Sequence, residues 1–319
     1  MLYIVTGCAG FIGSTLTDAL LADGEEVIGI DCFRDYYDPR IKRANIKHAE
    51  GSRSFRLLES DLSRSSLPDP EELTSGRPFV IHHLAAQAGV RRSWGREFSQ
   101  YTRDNITATQ RLLEWARTAP NLKAFVYASS SSVYGNVESL PMREDATIPR
   151  PYSPYGVTKL AAEHLVGLYH RNYRLPATAL RFFTVYGPRQ RPDMAFHKFI
   201  LAGLKGEPIT VFGNGQQTRD FTYVGDLVDG LRKAENRTKG EVFNLGGGNR
   251  VSLNDTLGIL EEVMDTGLEV VHEDVQRGDV RDTWAATDDA RRFLDWNPKT
   301  TLKEGLTEEL EWIKRAYAE

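Results

Sequence analysis

Two kinds of segment alternate along the first part of this 319-residue chain, and this alternation constrains the fold more than any other feature. Short runs of β-branched and aromatic residues predict strands, and stretches with apolar residues at helical spacing predict helices. Such alternation implies right-handed crossovers onto a parallel sheet, so we expect a doubly wound α/β fold. The predicted strands are Leu2 to Thr6, Glu26 to Ile30, Ser54 to Leu58, Phe79 to His83, Ala124 to Ala128 and Ala177 to Phe182, and the predicted helices include Phe11 to Ala22, Tyr101 to Arg117 and Tyr155 to Tyr173.

The pattern becomes mixed after about Thr184, where proline, glycine and arginine gather in segments 186–193, 213–220 and 276–282. We interpret this part as a smaller mixed α/β cap that binds substrate. Residues 1–180 are expected to form a nucleotide-binding domain and residues 181–319 a substrate-binding region. The boundary is soft, and we expect the chain to cross back over it.

The charge and cysteine content exclude several classes of partner. A formal net charge of -4 provides no diffuse positive field for nucleic acid or an acidic membrane, so an anionic ligand must meet local arginines. Two cysteines, Cys8 and Cys32, are too few for a disulfide framework. Without a basic leader or a long apolar run, we expect a cytoplasmic protein.

A glycine-rich loop directly after the first predicted strand gives the strongest local signal. Gly7, Gly10 and Gly13 stand where a tight turn, close approach to a pyrophosphate and close helix packing need glycine. The helix that opens there, with Phe11 and Ile12 in its first turn, offers free N–H groups to phosphate. This is the arrangement of a Rossmann dinucleotide site.

Asp31 at the end of the second strand points to NAD, because a carboxylate there binds ribose hydroxyls and repels a 2′-phosphate. Arg34 lies close enough to keep NADP open as the alternative. The adenine and pyrophosphate edges of the cofactor are expected to pass residues that follow the third and fourth strands. These are Asp61, Leu62, Leu84, Ala85 and Ala86.

Tyr155 and Lys159 lie one helical turn apart, on one face of the predicted helix. A nearby cation stabilises a phenolate and brings tyrosine toward the range of a general base, and Lys159 can also hold a nicotinamide ribose. Tyrosine and lysine at this spacing are also common on surface helices. Ser130, which follows the fifth strand at the ligand-binding edge of a parallel sheet, favours the catalytic interpretation.

Together, the loop Gly7 to Gly13, Ser130, Tyr155 and Lys159 resemble the extended short-chain dehydrogenase/reductase family over nearly the whole chain. The resemblance implies that Tyr155 is the base for a sugar hydroxyl, that Ser130 is its hydrogen-bond partner, and that Asn105 supports the active-site helix and binds the cofactor. It also implies a homodimer built from helices Tyr101 to Arg117 and Tyr155 to Tyr173.

Ser131 and Ser132 separate branches of this family. Relatives that dehydrate nucleotide sugars carry an acidic pair after the catalytic hydroxyl, and uronate decarboxylases carry a glutamate before Val-Tyr-Gly. Serine does not readily supply the proton that those reactions need. Oxidation and re-reduction at C4 then remain, which is 4-epimerization with NAD bound and recycled.

In the cap, Phe212, Arg219, Arg277 and Asp279 resemble the family's positions for base stacking and diphosphate binding. A guanidinium suits a diphosphate because its planar fork donates two parallel hydrogen bonds. Surface ion pairs, Arg219 with Asp220 or Arg277 with Asp279, are the alternative.

Several motifs look most like UDP-glucuronate 4-epimerases, among them Asp35 to Pro39, Ala86 to Arg91, Arg181 to Pro188 and Arg191 to Ala195. Arg191, with Thr184, Ser131 and Ser132, is the expected reader of the sugar carboxylate. The pair Arg189-Gln190 also occurs in UDP-glucose or UDP-galactose 4-epimerases, so an epimerase of neutral sugars stays open. So do a UDP-glucuronate decarboxylase and a catalytically silent NAD-binding protein on the same fold.

No metal is predicted. His82 and His83 are neighbours on a strand, so their side chains face opposite sides, and no cysteine or carboxylate set completes a site.

Overall fold

The structure, a computed structural model, describes residues 1–248, 250–276 and 278–317. Its strands are β1 (Leu2–Thr6), β2 (Glu26–Asp31), β3 (Phe55–Glu59), β4 (Phe79–His83), β5 (Leu122–Ser130), β6 (Ala177–Phe182), β7 (Val185–Tyr186), β8 (Ile209–Phe212), β9 (Thr218–Asp220), β10 (Thr222–Tyr223), β11 (Lys239–Leu245), β12 (Arg250–Ser252) and β13 (Val270–Glu273). Its α-helices are α1 (Phe11–Ala22), α2 (Pro39–Glu50), α3 (Pro70–Thr74), α4 (Phe98–Tyr101), α5 (Ala108–Ala116), α6 (Pro154–Tyr173), α7 (Ala195–Lys205), α8 (Val224–Ala234), α9 (Leu253–Met264), α10 (Asp288–Leu294) and α11 (Leu302–Ala316).

Seven strands form one central sheet in the order β11-β6-β5-β4-β1-β2-β3. Every neighbouring pair in it is parallel. The chain steps outward from β1 to β2 and β3, and then returns to the other side of β1 for β4, β5 and β6. The predicted doubly wound parallel fold is confirmed, and the reversal beside β1 opens a crevice at the carboxyl ends of the strands.

Both faces of the sheet are buried. Because side chains alternate along a strand, Tyr3 and Val5 of β1 enter one core while Leu2 and Ile4 enter the other. Helices α1 and α8 cover the first core, and α5 and α6 cover the second. This continuous burial explains why the strands read as apolar runs instead of alternating patterns.

A separate core holds the cap together. It joins α7, α9 and α11 with β8, and its buried residues include Phe196, Ile200, Leu257 and Leu306. Strand β8 pairs in parallel with β13, and β9 pairs antiparallel with β12, so the cap is mixed α/β. The chain leaves the central sheet after Phe182 and rejoins it at β11. The division into residues 1–180 and 181–319 stays a prediction of function.

The expected single helix from Tyr101 to Arg117 is interrupted. Helix α4 ends at Tyr101, residues Thr102–Thr107 form a π-helical turn, and α5 follows. The turn carries Asn105, which is buried and hydrogen-bonded outside its own helix. Helical spacing alone does not distinguish such a turn from regular α-helix. No helix in the described part of the chain has the length and apolarity needed to cross a membrane.

Candidate active site

A cavity of about 390 Å³ runs along the carboxyl edge of the sheet. Most of the predicted site residues line it, although they come from widely separated segments. They are Gly7, Gly10, Phe11, Ile12, Gly13, Asp31, Asp61, Leu62, Leu84, Ala85, Ala86, Ser130, Ser131, Ser132, Tyr155, Lys159, Thr184 and Arg191.

The glycine loop needs its glycines for the chain's own packing. Gly7 has φ +71°, and a Cβ there would lie 2.9 Å from the backbone nitrogen of Ala85. A Cβ on Gly13 would lie 2.8 Å from the Gly7 carbonyl carbon and overlap its oxygen. Gly10 caps α1 without any side-chain hydrogen bond, so the first N–H groups of the helix are left for a ligand. This cradle fits the pyrophosphate of a dinucleotide.

Asp31 is held in place beside that loop by two backbone donors. The N–H of Ala9 donates to its Oδ2 at 3.2 Å, and the N–H of Phe33 donates to its Oδ1 at 2.8 Å. Each carboxylate oxygen keeps a second lone pair for another donor, such as a ribose hydroxyl. The carboxylate therefore has the position and the capacity expected of a ribose ligand.

Arg34, which leaves NADP as an alternative cofactor in the sequence analysis, forms ion pairs with two carboxylates. Its guanidinium lies 2.9 Å from Asp61 and 3.0 Å from Asp104. Burial lowers its pKa, but Asp104 and Asp61 outweigh burial and raise it above the ordinary value. An arginine paired in this way is poorly placed to bind a 2′-phosphate.

Tyr155 lines the opposite end of the cavity. Burial raises its pKa, while the Ser130 hydroxyl and the Arg191 charge act in the opposite direction. The Arg191 guanidinium thus adds a positive charge at this end of the cavity, and the role of Lys159 as the stabilising cation stays a prediction. The Lys159 ammonium donates to the Ala128 carbonyl at 2.6 Å.

Lys159 is almost completely buried, and burial lowers its pKa to about 7, against an opposing effect of Glu163. Glu163 lies one turn further along α6 and forms a bidentate pair with Arg181 of β6, at 2.6 and 3.0 Å. The hydroxyl of Ser129 on β5 also donates to Glu163 at 2.6 Å. This network, which we call the Glu163 network, ties α6 to β5 and β6. The spacing of Glu163 from Lys159 places both residues on one face of α6, but it does not indicate that Glu163 pairs with Ser129 and Arg181.

Asn105 does not line the cavity. Its amide nitrogen donates to the Gln87 carbonyl at 3.0 Å and to the Thr158 hydroxyl at 2.9 Å, and its oxygen accepts from the Gln87 N–H at 2.7 Å. The residue thus joins the loop after β4 to α6. This geometry suits a support for the active-site helix and not a direct cofactor contact.

Arg191 lines the cavity in the company of Thr184, Ser131 and Ser132, and its guanidinium is paired with Asp193. The neighbouring Arg189 pairs with Asp18 of α1 at 2.6 Å. Gln190 is buried and accepts from the His197 N–H at 3.0 Å. The Arg189-Gln190 pair therefore anchors the loop to other elements, which gives it a role independent of the sugar.

Phe212, Arg219 and Asp279, the predicted nucleotide contacts of the cap that the structure describes, lie outside the cavity. Together with Arg91 we call them the Phe212 cluster. The Arg91 guanidinium lies 4.2 Å from the centre of the Phe212 ring and 2.8 Å from Asp279. Arg219 donates to the carbonyls of Thr218, Val280 and Arg281, each at 2.8 Å, instead of pairing with Asp220. Arg277 lies outside the described residues.

No function is predicted from the sequence for three residues of the motifs that resemble UDP-glucuronate 4-epimerases. Arg91 contacts Phe212, Tyr36 lines the cavity, and Asp193 pairs with Arg191. Their spacing alone carries no signal of these contacts, because each partner is brought close only by the tertiary fold.

The parallel sheet, the glycine loop and the Tyr155–Lys159 helix define a nucleotide-dependent enzyme of the short-chain dehydrogenase/reductase class. The model of the family described as "NAD dependent epimerase/dehydratase family" matches residues 3–246. The chain belongs to this family.

Individual relatives match over nearly the full length. A Bacillus subtilis protein named "uncharacterized UDP-glucose epimerase YtcB" is 41% identical, with 99% of each chain covered. A UDP-glucuronate 4-epimerase of Thermodesulfobacterium geofontis is 38% identical, covering 98% of this chain and 96% of the relative. The crystal structure of UDP-glucuronic acid 4-epimerase from Bacillus cereus, in complex with UDP-glucuronic acid and NAD, has a TM-score of 0.92 at 41% identity, covering 99% of this chain and 100% of the other.

Proposed function

We propose that this chain is an NAD-dependent 4-epimerase that interconverts UDP-glucuronate and UDP-galacturonate through a 4-keto intermediate. One observation carries the proposal: a single cavity joins the glycine loop and Asp31 to a sugar end where Arg191 lies with Tyr155 and three serines. The Bacillus cereus structure, with UDP-glucuronic acid and NAD bound, supports it.

NAD, when bound, supplies a reversible hydride acceptor for C4 of the sugar. Gly7, Gly10 and the first turn of α1 with Phe11 and Ile12 would hold its pyrophosphate, and Asp31 its adenosine ribose. The remaining predicted contacts would line its adenine and phosphate edges. These are Gly13, Asp61, Leu62, Leu84, Ala85 and Ala86.

Tyr155 takes the proton of the 4-hydroxyl and returns it after the sugar has turned over. Ser130 donates to or accepts from the same oxygen. Lys159 holds the nicotinamide ribose and, when protonated, adds its charge to that of Arg191 in stabilising the phenolate.

The acidic residues that line the cavity, within the part of the chain described, are Asp31, Asp61 and Asp104. Asp31 ends β2 and Asp61 follows β3 at the nucleotide end, and Asp104 pairs with Arg34. Ser131 and Ser132 stand at the sugar end, where a dehydratase or a decarboxylase needs a proton donor. Epimerization needs none beyond Tyr155.

A uronate substrate is prone to decarboxylation as a side reaction, because oxidation at C4 places the carboxylate β to a ketone. Such an acid loses carbon dioxide when the breaking C–C bond aligns with the carbonyl π system. Arg191, with hydroxyls from Thr184, Ser131 and Ser132, would hold the carboxylate away from that alignment during the turnover of the ring.

The Phe212 cluster would bind the UDP portion of the substrate. Phe212 would stack on the base, while Arg219 and Arg277 would contact the diphosphate and Asp279 would bind beside it. Arg91, which contacts one face of the Phe212 ring and pairs with Asp279, would add a positive charge beside the diphosphate.

The proposed assembly is a homodimer. Phe98 of α4 and Val157 and Leu168 of α6 are exposed apolar side chains on the helices that would form a four-helix bundle with the second subunit. We also propose a cytoplasmic location, supported by the two free thiols of Cys8 and Cys32 at the nucleotide end.

A UDP-glucose 4-epimerase is the second candidate, favoured by the name of the Bacillus subtilis relative. The experiment that separates the candidates is a panel of UDP-glucuronate, UDP-galacturonate, UDP-glucose and UDP-galactose, with products resolved by chromatography. Interconversion of the two uronates is expected. Exclusive interconversion of the two neutral sugars, release of a UDP-pentose, or no turnover would each reject the proposal.

A further inference from the structure

The guanidinium of Arg191 is bound side-on by Asp193, two residues along the same loop. Nε of Arg191 lies 2.9 Å from Oδ1, and Nη2 lies 3.0 Å from Oδ2. Two parallel charge-assisted hydrogen bonds of this kind restrict both the position and the orientation of the planar group.

This pairing uses only part of the hydrogen-bonding capacity of Arg191. A guanidinium has five N–H donors, and the bonds given by the described residues take one from Nε and one from Nη2. The end-on edge, formed by Nη1 and the second proton of Nη2, is a fork of the same geometry. It is therefore able to bind a second carboxylate bidentately while Asp193 keeps the first edge.

The two partners differ in their access to the cavity. Arg191 lines it, with a side chain 20% exposed, whereas Asp193 does not line it and is 34% exposed. Asp193 thus binds the arginine from outside the space that the sugar would fill. Burial raises the pKa of Asp193, but Arg191 and Tyr36 outweigh burial and lower it, which keeps the carboxylate ionised.

A second element fixes Asp193 itself. The Tyr36 hydroxyl donates to its Oδ2 at 3.2 Å, and the Tyr36 ring lines the cavity with its centre 5.9 Å from the Arg191 guanidinium carbon. Tyr36 belongs to the loop after β2, on the nucleotide side. The orientation of Arg191 is therefore fixed by Asp193 on its own loop and, through Asp193, by Tyr36 at the nucleotide end of the cavity.

We propose that Asp193 is a positioning residue that determines substrate specificity: it holds the side-on edge of Arg191 so that the end-on edge meets the sugar carboxylate. This inference rests on the proposed function. Without Asp193, the long Arg191 side chain is free to adopt several rotamers, and binding a carboxylate then requires it to be ordered at the cost of affinity. A neutral hydroxymethyl group gains little from that edge and is not affected.

The test measures binding of UDP-glucuronate and UDP-glucose by calorimetry, with NAD present, in a Tyr155→Phe background that prevents turnover. Asp193→Ala should weaken UDP-glucuronate binding about tenfold and change UDP-glucose binding by less than about twofold. Asp193→Asn keeps one acceptor for Nε, so its loss should be intermediate. Equal losses for both sugars would assign Asp193 a merely structural role and overturn the inference, as would unchanged or tighter UDP-glucuronate binding.

Asp18→Ala is the matched control, because Asp18 pairs with Arg189 on the same loop at similar exposure. It should not change the ratio of the two affinities, and a ratio changed as much as by Asp193→Ala would also overturn the inference. Turnover by the unmodified enzyme separates this inference from the proposed function. If that enzyme fails to epimerise UDP-glucuronate, the proposed function fails; if it succeeds and the affinity ratio does not change in Asp193→Ala, only the inference fails.

Discussion

The Tyr155 end of the cavity and the Phe212 cluster of the cap are built in opposite ways. Ser130, Tyr155 and Lys159 stand on β5 and α6, which the buried Glu163 network ties together. The polar groups of the Phe212 cluster are Arg91 and Asp279, which pair with each other, and Arg219 of the short strand β9, which donates to backbone carbonyls. The groups proposed for the chemistry are therefore fixed by buried contacts between sheet and helix, whereas those proposed for nucleotide binding bond to one another and to backbone carbonyls near the surface.

The largest effect on turnover is expected from substitutions at the Tyr155 end of the cavity. Tyr155→Phe should lower turnover by ~10²- to 10⁴-fold, because it removes the proposed general base, while fold and NAD binding are retained. Lys159→Ala should be at least as damaging, since Lys159 is proposed to serve both base and cofactor, and Ser130→Ala should be milder. Steady-state rates that are near normal for Tyr155→Phe, or equal for all three variants, would contradict these roles.

Alanine substitutions at two helical glycines, one beside the sheet edge and one in the cap, compare how tightly the two regions are packed. In Gly13→Ala the new methyl group would overlap the Gly7 carbonyl oxygen, so we expect a loss of about 3 kcal/mol in the free energy of unfolding. Gly258→Ala in α9 is the control, because nothing lies within 4 Å of its added Cβ. The free energy of unfolding of that variant should rise by roughly 0.5 to 1 kcal/mol. Urea unfolding measures both, and similar values for the two would contradict the account of the glycine loop.

The sequence predicts those features of the two regions that depend on residues close together in the chain, and it does not predict contacts between distant segments. Strand patterns, the glycine loop and the Tyr155–Lys159 spacing are local, and the structure places them as expected at one sheet edge. The contact of Arg91 with Phe212 and the pairing of Glu163 with Arg181 join segments far apart in the chain. The π-helical turn at Asn105 escapes prediction because its apolar spacing is that of an ordinary helix. Such features depend on tertiary packing, which periodicity does not encode.

The cap can be tested by removing one of its guanidinium groups. Arg219→Ala should weaken binding of UDP-sugar by roughly 1.5 to 3 kcal/mol and leave NAD affinity unchanged, because Arg219 lies outside the cavity that would hold NAD. Calorimetric titration with each ligand separates the effects. Weaker NAD binding with unaltered UDP binding would reverse the assignment of the two regions.

A smaller effect concerns the charge of Lys159, whose folded pKa of about 7 lies below its ordinary value. Between those two values the unfolded chain binds more protons than the folded chain, so this group makes stability rise with pH above 7 and lowers stability as pH falls toward 7. Lys159→Met lacks this effect. The free energy of unfolding of the unmodified protein, relative to Lys159→Met, should rise by about 2 kcal/mol from pH 7 to pH 9. A difference independent of pH would show that burial does not perturb this lysine.

Whether Arg191 reads a carboxylate is tested most directly by comparing kcat/KM for UDP-glucuronate and UDP-glucose in the unmodified enzyme and in Arg191→Ala. The unmodified enzyme should prefer UDP-glucuronate. The substitution should lower efficiency on that substrate by about 1.5 to 3 kcal/mol, the value of a lost charged hydrogen bond, and spare UDP-glucose. An unmodified enzyme that prefers UDP-glucose, or a variant that loses both activities equally, would contradict the claim.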